Sequence, residues 1–327
     1  MVPSFEGNIE RVVGKVPDAE KERILHGRNE SFNNQRFEDL RHKERPKTSA
    51  ELELIALANE VTNALRHADG LGDLEVPASN IHLIREGDWP GGHKGDAFYD
   101  SECQAIALRE QEADIIFFKK IVHEMVHFKS YNAVQVTSAA NPEVREYRVG
   151  LVVHARDGHA QYFNNLNEAV TEEITKEIIA TVEHPLLQGN VAQTEKVRSQ
   201  YPHATDPSGK SFFDDDTFYA RLADETTLKN RAGRVFGKER SRAIAGEGFG
   251  YRRERDILRQ LIRKLFRRNS QFKDVSEIHD LFRRGMMTGD ILPLGRLIDR
   301  TLGKGTLRRI GELDSDIDAQ EKFIKSL

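Results

Sequence analysis

Residues 123 to 127 read His-Glu-Met-Val-His, inside a segment, 114–130, whose apolar spacing predicts one amphipathic helix. Residues four apart on a helix lie nearly above one another. His123 and His127 therefore offer two imidazoles to one point in space, and neutral imidazole binds Zn2+ at about 2.0–2.1 Å. Glu124 lies about 100° round the helix from His123, so it flanks such an ion without ligating it. A carboxylate there can take a proton from water that the ion has acidified, the general-base step of metal-assisted hydrolysis. Two histidines bracketing a glutamate also arise by accident on exposed helices. Here Ile116, Phe117, Ile121, Val122, Met125 and Phe128 cover most of the circumference, as on a helix buried on several sides. Imidazoles on such a helix need partners, because an unpaired buried polar group is costly.

Catalytic zinc usually keeps three protein ligands and one open position. The candidate third ligand lies in Leu166-Asn167-Glu168-Ala169-Val170-Thr171-Glu172-Glu173-Ile174, which starts a second helical pattern reaching about Val182. Glu168 and Glu172 share a face. With Glu168 on the metal, Glu172 is placed to accept the far ring N–H of a ligand histidine, most simply His123, fixing its tautomer. The plainer alternative is three acids in the first turn of a helix, where the macrodipole favours them. That alternative is kept for Glu173.

HExxH on one helix, followed by Asn-Glu-x-x-x-acid on the next, resembles the gluzincins, the thermolysin-like metallopeptidases whose third zinc ligand is a glutamate. The resemblance covers about residues 95–182, and the small intracellular members are the closer likeness. It implies that His123, His127 and Glu168 bind Zn2+, that Glu124 is the general base, and that Glu172 holds a ligand histidine. Two features depart from thermolysin: the last acid is Glu172 where thermolysin has Asp, and 40 residues separate His127 from Glu168. The resemblance also implies that an edge strand within 98–107 receives the peptide substrate, and that a Tyr or His from the C-terminal lobe faces the developing oxyanion. Tyr251 is the first candidate for that donor, followed by Tyr162 and Tyr147.

A metzincin would continue HExxHxxGxxH, whereas this chain continues Phe128-Lys129-Ser130-Tyr131-Asn132-Ala133. A deformylase-like site would need a cysteine ligand. The only cysteine, Cys103, sits in a stretch that alternates as a strand does and reads as an ordinary strand residue. His154 and His159 read as structural or exposed.

The chain has 327 residues, with 49 Lys and Arg against 53 Asp and Glu. No stretch approaches the 18 or more apolar residues of a membrane span, so no membrane partner is expected. The first residues show no charged-then-apolar signal pattern. That, with a single cysteine, favours a cytoplasmic location. From 220 to 311 there are 23 Lys or Arg against 11 Asp or Glu. Such a basic stripe suits either a nucleic-acid or acidic-peptide surface or helix faces balanced by acids elsewhere. The second is favoured, since aromatics for base stacking are not interleaved with it.

The pattern along the chain predicts an α+β, zincin-like fold in four parts. Residues 1–48 read as a charged, loosely attached arm. Residues 49–186 form the catalytic lobe, with a small mixed sheet and the two active-site helices. Within it, 49–67 is a helix capped by Thr48 or Ser49, 81–84 a strand, 89–95 a loop, 97–109 a strand or hairpin, and 147–163 a hairpin around Gly158. Residues 187–214 read as a linker and 215–327 as a helical lobe, with helices near 215–231, 251–269, 274–285, 290–302 and 305–313. The glycine-rich 246–250 reads as a hinge or turn. The function expected is hydrolysis of a peptide or protein substrate. Two rivals are a catalytically silent zinc-containing binding protein and a nucleic-acid-binding module with a structural metal. The sequence fixes neither substrate preference nor oligomeric state.

Overall fold

A computed structural model describes residues 7–30, 40–90, 95–137, 143–157, 160–205, 209–222, 236–239 and 242–327. The fold is α+β, with helices and small mixed sheets. Two compact units emerge. The first combines Met1–Glu110, Lys120–Thr175 and Tyr251–Leu327; the second combines Gln111–Lys119 with Lys176–Gly250.

In the first unit, strand β1 (Ile9–Val13) and helix α1 (Asp18–Glu30) precede helix α2 (Ser49–Ala68). Thr48 caps α2 in a capping box, its hydroxyl accepting Glu51 N–H while the Glu51 carboxylate accepts Thr48 N–H, which satisfies two donors that a helix start leaves open. Strands β2 (Ile81–Ile84), β3 (Ala97–Asp100) and β4 (Ala105–Arg109) form a sheet in the order β2-β4-β3, with β2 parallel and β3 antiparallel to β4. β3 is therefore an edge. Helix α3 (Asp114–Lys129) carries the two histidines, and its Phe118, Ile121, Val122, Met125, Val126 and Phe128 are wholly buried. Strands β5 (Asn132–Val136), β6 (Val144–Val149), β7 (Val152–His154) and β8 (Gln161–Tyr162) join β1 in a second sheet, ordered β1-β5-β6-β7-β8.

Helix α4 (Asn164–Thr181) carries the glutamates. Its first turn is capped from far along the chain: the Asp314 carboxylate accepts Asn164 N–H at 2.7 Å and Asn165 N–H at 3.0 Å. In the second unit, helix α5 (Pro185–Gln200) packs on a three-stranded antiparallel sheet of β9 (Thr217–Leu222), β10 (Phe236–Glu239) and β11 (Arg242–Gly248), with Val197, Phe212, Ala220 and Ile244 between them. The first unit then closes with α6 (Arg252–Arg267), α7 (Ser276–Thr288), α8 (Leu292–Leu302), α9 (Thr306–Glu312) and α10 (Ile317–Ser326).

Several expectations need correction. The arm at 1–48 holds a strand and a helix where it is described, because β1 pairs in parallel with β5; the Asn33-Asn34 stretch lies outside the described residues. The linker expected at 187–214 is helix α5 over its first half, as far as Gln200. Its Pro185 sits in the first turn, where a missing N–H costs nothing. The helix expected at 215–231 is strand β9 over Thr217–Leu222, and 223–231 lies outside the described residues. Gly246 belongs to β11, not to a hinge: a Cβ there would lie 2.6 Å from both the Phe212 ring and Tyr219 O, so glycine lets the ring approach the strand. Cys103 is buried in the turn between β3 and β4, its N–H bonded to Asp100 Oδ1. Residues 91–94 of the expected loop, and Gly158 and His159 of the expected hairpin, lie outside the described residues.

Part of the basic stripe is paired with acids inside the first unit. Arg253 pairs with Asp318 and Glu321, and Arg255 and Arg259 pair with Glu173. Lys129 at the end of α3 is a different case: it is wholly buried, donating to Asn59 O at 3.1 Å and Asn63 Oδ1 at 2.8 Å. Burial lowers its pKa to about 7. Between that value and the ordinary one near 10.5, the unfolded chain binds a proton that the folded chain does not, so stability rises with pH across this window. A lowering of that size corresponds to at most about 5 kcal/mol. Chemical denaturation at pH 7 and pH 10 should show the wild type gaining stability relative to Lys129→Met. Parallel pH profiles for the two proteins would contradict this assignment.

Candidate metal centre

Helix α3 turns His123 and His127 inward on one face, both nearly buried among its apolar side chains. Helix α4 brings Glu168 to the same point. The two Nε2 atoms lie 3.2 Å apart, and Glu168 Oε2 lies 3.4 Å from each. Ligand atoms about 2.0–2.1 Å from a common ion at tetrahedral angles are about 3.3 Å from one another. The triangle thus has the size that a zinc-like ion requires. Among the described residues this is the one group of three such side chains with ligand atoms so close together. Glu168 Oε2 is buried and makes no hydrogen bond of acceptable geometry. An acceptor left so is costly, and a cation bound by the three atoms would satisfy it.

The surrounding groups orient the ligands. Glu172, wholly buried, holds His123 Nδ1 at 2.7 Å, which turns Nε2 toward His127 and Glu168, as the spacing of Glu168 and Glu172 predicts. Asn167 Nδ2 lies 3.2 Å from His127 Nδ1, and Asn167 Oδ1 accepts Leu151 N–H at 2.8 Å. Asn167 thus packs a polar side chain against His127, a placement that the sequence pattern does not announce beyond its position just before Glu168. Burial opposes ionisation of Glu168, but the neighbouring His127 and His123 outweigh it and hold the carboxyl well below the usual range. Outer carboxylates of this kind typically matter 10- to 100-fold. Glu172→Ala is accordingly expected to weaken zinc binding by about that factor, read by competition with a chromogenic chelator. Unchanged affinity would remove Glu172 from the site.

Tyr251 stands at the N-terminus of α6 with left-handed backbone, φ 51°. Its ring stacks on His123 at 5.7 Å and 7° between planes. The residue is 43% exposed, yet it lines a cleft with Glu168 and Glu124. Burial there, with the negative Glu168 and Glu124 beside it, pushes the phenol far above its ordinary pKa. It keeps its proton and remains a donor. Arg255 fixes this helix: wholly buried, it sends Nε to Glu173 Oε1 at 2.8 Å, while Arg259 meets the same oxygen at 2.8 Å. Glu173 is therefore a structural anchor, more than an acid favoured by the helix dipole.

Glu124 joins the three ligands and Tyr251 in lining a cleft of about 240 Å³, together with Phe98 and Tyr99 of the edge strand β3. Tyr147 and Tyr162 do not line it. His154 is held against Glu146 at 2.5 Å, and neither it nor Cys103 joins the ligand group. A larger cavity, about 800 Å³, lies beside β1 and α2. It contains none of these groups, so the polar arrangement and not volume locates the candidate chemistry.

No family model, no curated protein and no solved structure matches this chain.

Proposed function

We propose that this chain is a zinc-dependent metallopeptidase of gluzincin type with a zincin-like catalytic lobe. The observation that carries the reading is the 3.2, 3.4 and 3.4 Å triangle of His123, His127 and Glu168, opening on a cleft with Glu124 at its side. A divalent cation held there supplies Lewis acidity toward a carbonyl oxygen and makes water a better nucleophile near neutral pH. Glu124 accepts the proton from the attacking water and returns one to the leaving amine. Tyr251, kept protonated, donates to the carbonyl oxygen as negative charge develops on it. The open edge of β3, whose Ala97, Phe98 and Tyr99 line the cleft, receives an extended substrate by backbone hydrogen bonding. Of the stretch 98–107, only the part in β3 offers such an edge, because β4 is paired on both sides.

No described helix is long and apolar enough to cross a membrane. The place of action proposed is the cytoplasm, which a single, buried cysteine suits. The pairing of Arg253, Arg255 and Arg259 with carboxylates supports a structural role for the basic stripe over a nucleic-acid surface. Zinc-loaded protein should hydrolyse members of a diverse peptide library, lose that activity to a chelator and regain it with Zn2+. Complete inertness of the loaded protein toward the library would favour the silent binding protein instead.

A further inference from the structure

Among the groups lining the cleft is a carboxylate that the proposed mechanism does not use. Glu146 lies on β6, outside the ligand group, with its side chain about one-quarter exposed. Its direction is set by an irregularity in the strand. Ala133 of β5 faces Arg148, but the next residue, Val134, faces Glu146, so Tyr147 is an extra residue bulged out of register. In an uninterrupted strand, residues 146 and 149 would point to opposite faces. Here both Glu146 and Val149 line the cleft. Bulges commonly re-aim side chains beside functional sites. The carboxylate is then braced: the Ser101 hydroxyl, on the turn after edge strand β3, donates to Oε2, and His154 Nε2 lies 2.5 Å from Oε1.

Charge in the cleft is one-sided. Glu124, Glu146 and Glu168 line it, and no Lys or Arg is among its described lining residues. Resting on the peptidase reading, we propose that Glu146 is a specificity residue that selects substrates carrying a Lys or Arg side chain beside the bond to be cut. A carboxylate held by the Ser101 hydroxyl keeps lone pairs for a charge-assisted hydrogen bond from an ammonium or guanidinium. The partly enclosed cleft strengthens that attraction relative to bulk water. An acidic side chain entering the same position meets like charge, so the site discriminates by repulsion as well as attraction.

The test measures binding without turnover. Zinc-loaded Glu124→Gln protein is titrated with three fluorescein-labelled, alanine-based peptides that differ only in a central Lys, norleucine or Glu. The Lys peptide should bind about tenfold or more tightly than the norleucine peptide, equivalent to about 1.4 kcal/mol, and the Glu peptide most weakly. Adding Glu146→Gln, which keeps the bond from Ser101, should bring the Lys and norleucine affinities within twofold. Adding Glu146→Lys should turn the preference toward the Glu peptide. Equal binding of all three peptides, undetectable binding of each, or a Lys preference that survives Glu146→Gln overturns the proposal. Cleavage by the wild type separates the two readings. Hydrolysis without basic preference removes only the role of Glu146, whereas Glu146-dependent binding without hydrolysis removes only the peptidase activity.

Discussion

Glu124→Gln should lower kcat by about 10²–10⁴, the usual worth of a positioned general base, while zinc content and KM remain nearly unchanged. The side chain is 7% exposed and lines the cleft beside the ligand triangle. Glutamine has the same shape and still accepts a hydrogen bond, but its amide takes no proton at neutral pH. Loss of rate with retained metal therefore isolates the proton transfer from the construction of the site. Steady-state kinetics on one peptide, with elemental analysis of the same preparation, provides both readings. Wild-type kcat in the variant would mean that another group removes the proton.

Tyr251→Phe should cost about 10²–10³ in kcat, or about 2.7–4 kcal/mol, the range measured when one donor to a developing oxyanion is deleted. Only the hydroxyl is removed, so the ring keeps its stacking on His123. KM should move little, because the donor acts mainly when negative charge has formed. A variant with kcat within a factor of two of wild type would place the oxyanion donor elsewhere.

Much of the candidate site was legible because it rests on local periodicity. HExxH and Glu-x-x-x-Glu each put two side chains on one helix face, and the structure gives both helices close to the expected limits. The convergence of the helices is not a local property, and the triangle of His123, His127 and Glu168 supplies it. The missed elements depend on distant partners. β1 is ordered by β5, more than 100 residues on, and its residues Ile9–Val13 carry only a short alternation. α5 lacks a strong apolar stripe, and Pro185 and Gly189 read as breakers. The Thr, Phe and Tyr of Thr217–Leu222 favour a pleated, half-buried surface, which overrides the helical pattern there. Glu146 was invisible for a sharper reason. A bulge changes which residues share a face, and nothing in the run Glu146-Tyr147-Arg148 announces one. Glu173 was underestimated because its partners, Arg255 and Arg259, lie more than 80 residues away.

Metal stoichiometry of the purified chain and its ligand variants tests the central claim most directly. After equilibration with Zn2+ and removal of excess, elemental analysis should find about one zinc per wild-type chain. His123→Ala, His127→Ala and Glu168→Ala should each retain far less, while remaining folded by circular dichroism. Wild-type protein that holds no zinc, or ligand variants that hold it as tightly as wild type, would contradict a site built from these three side chains.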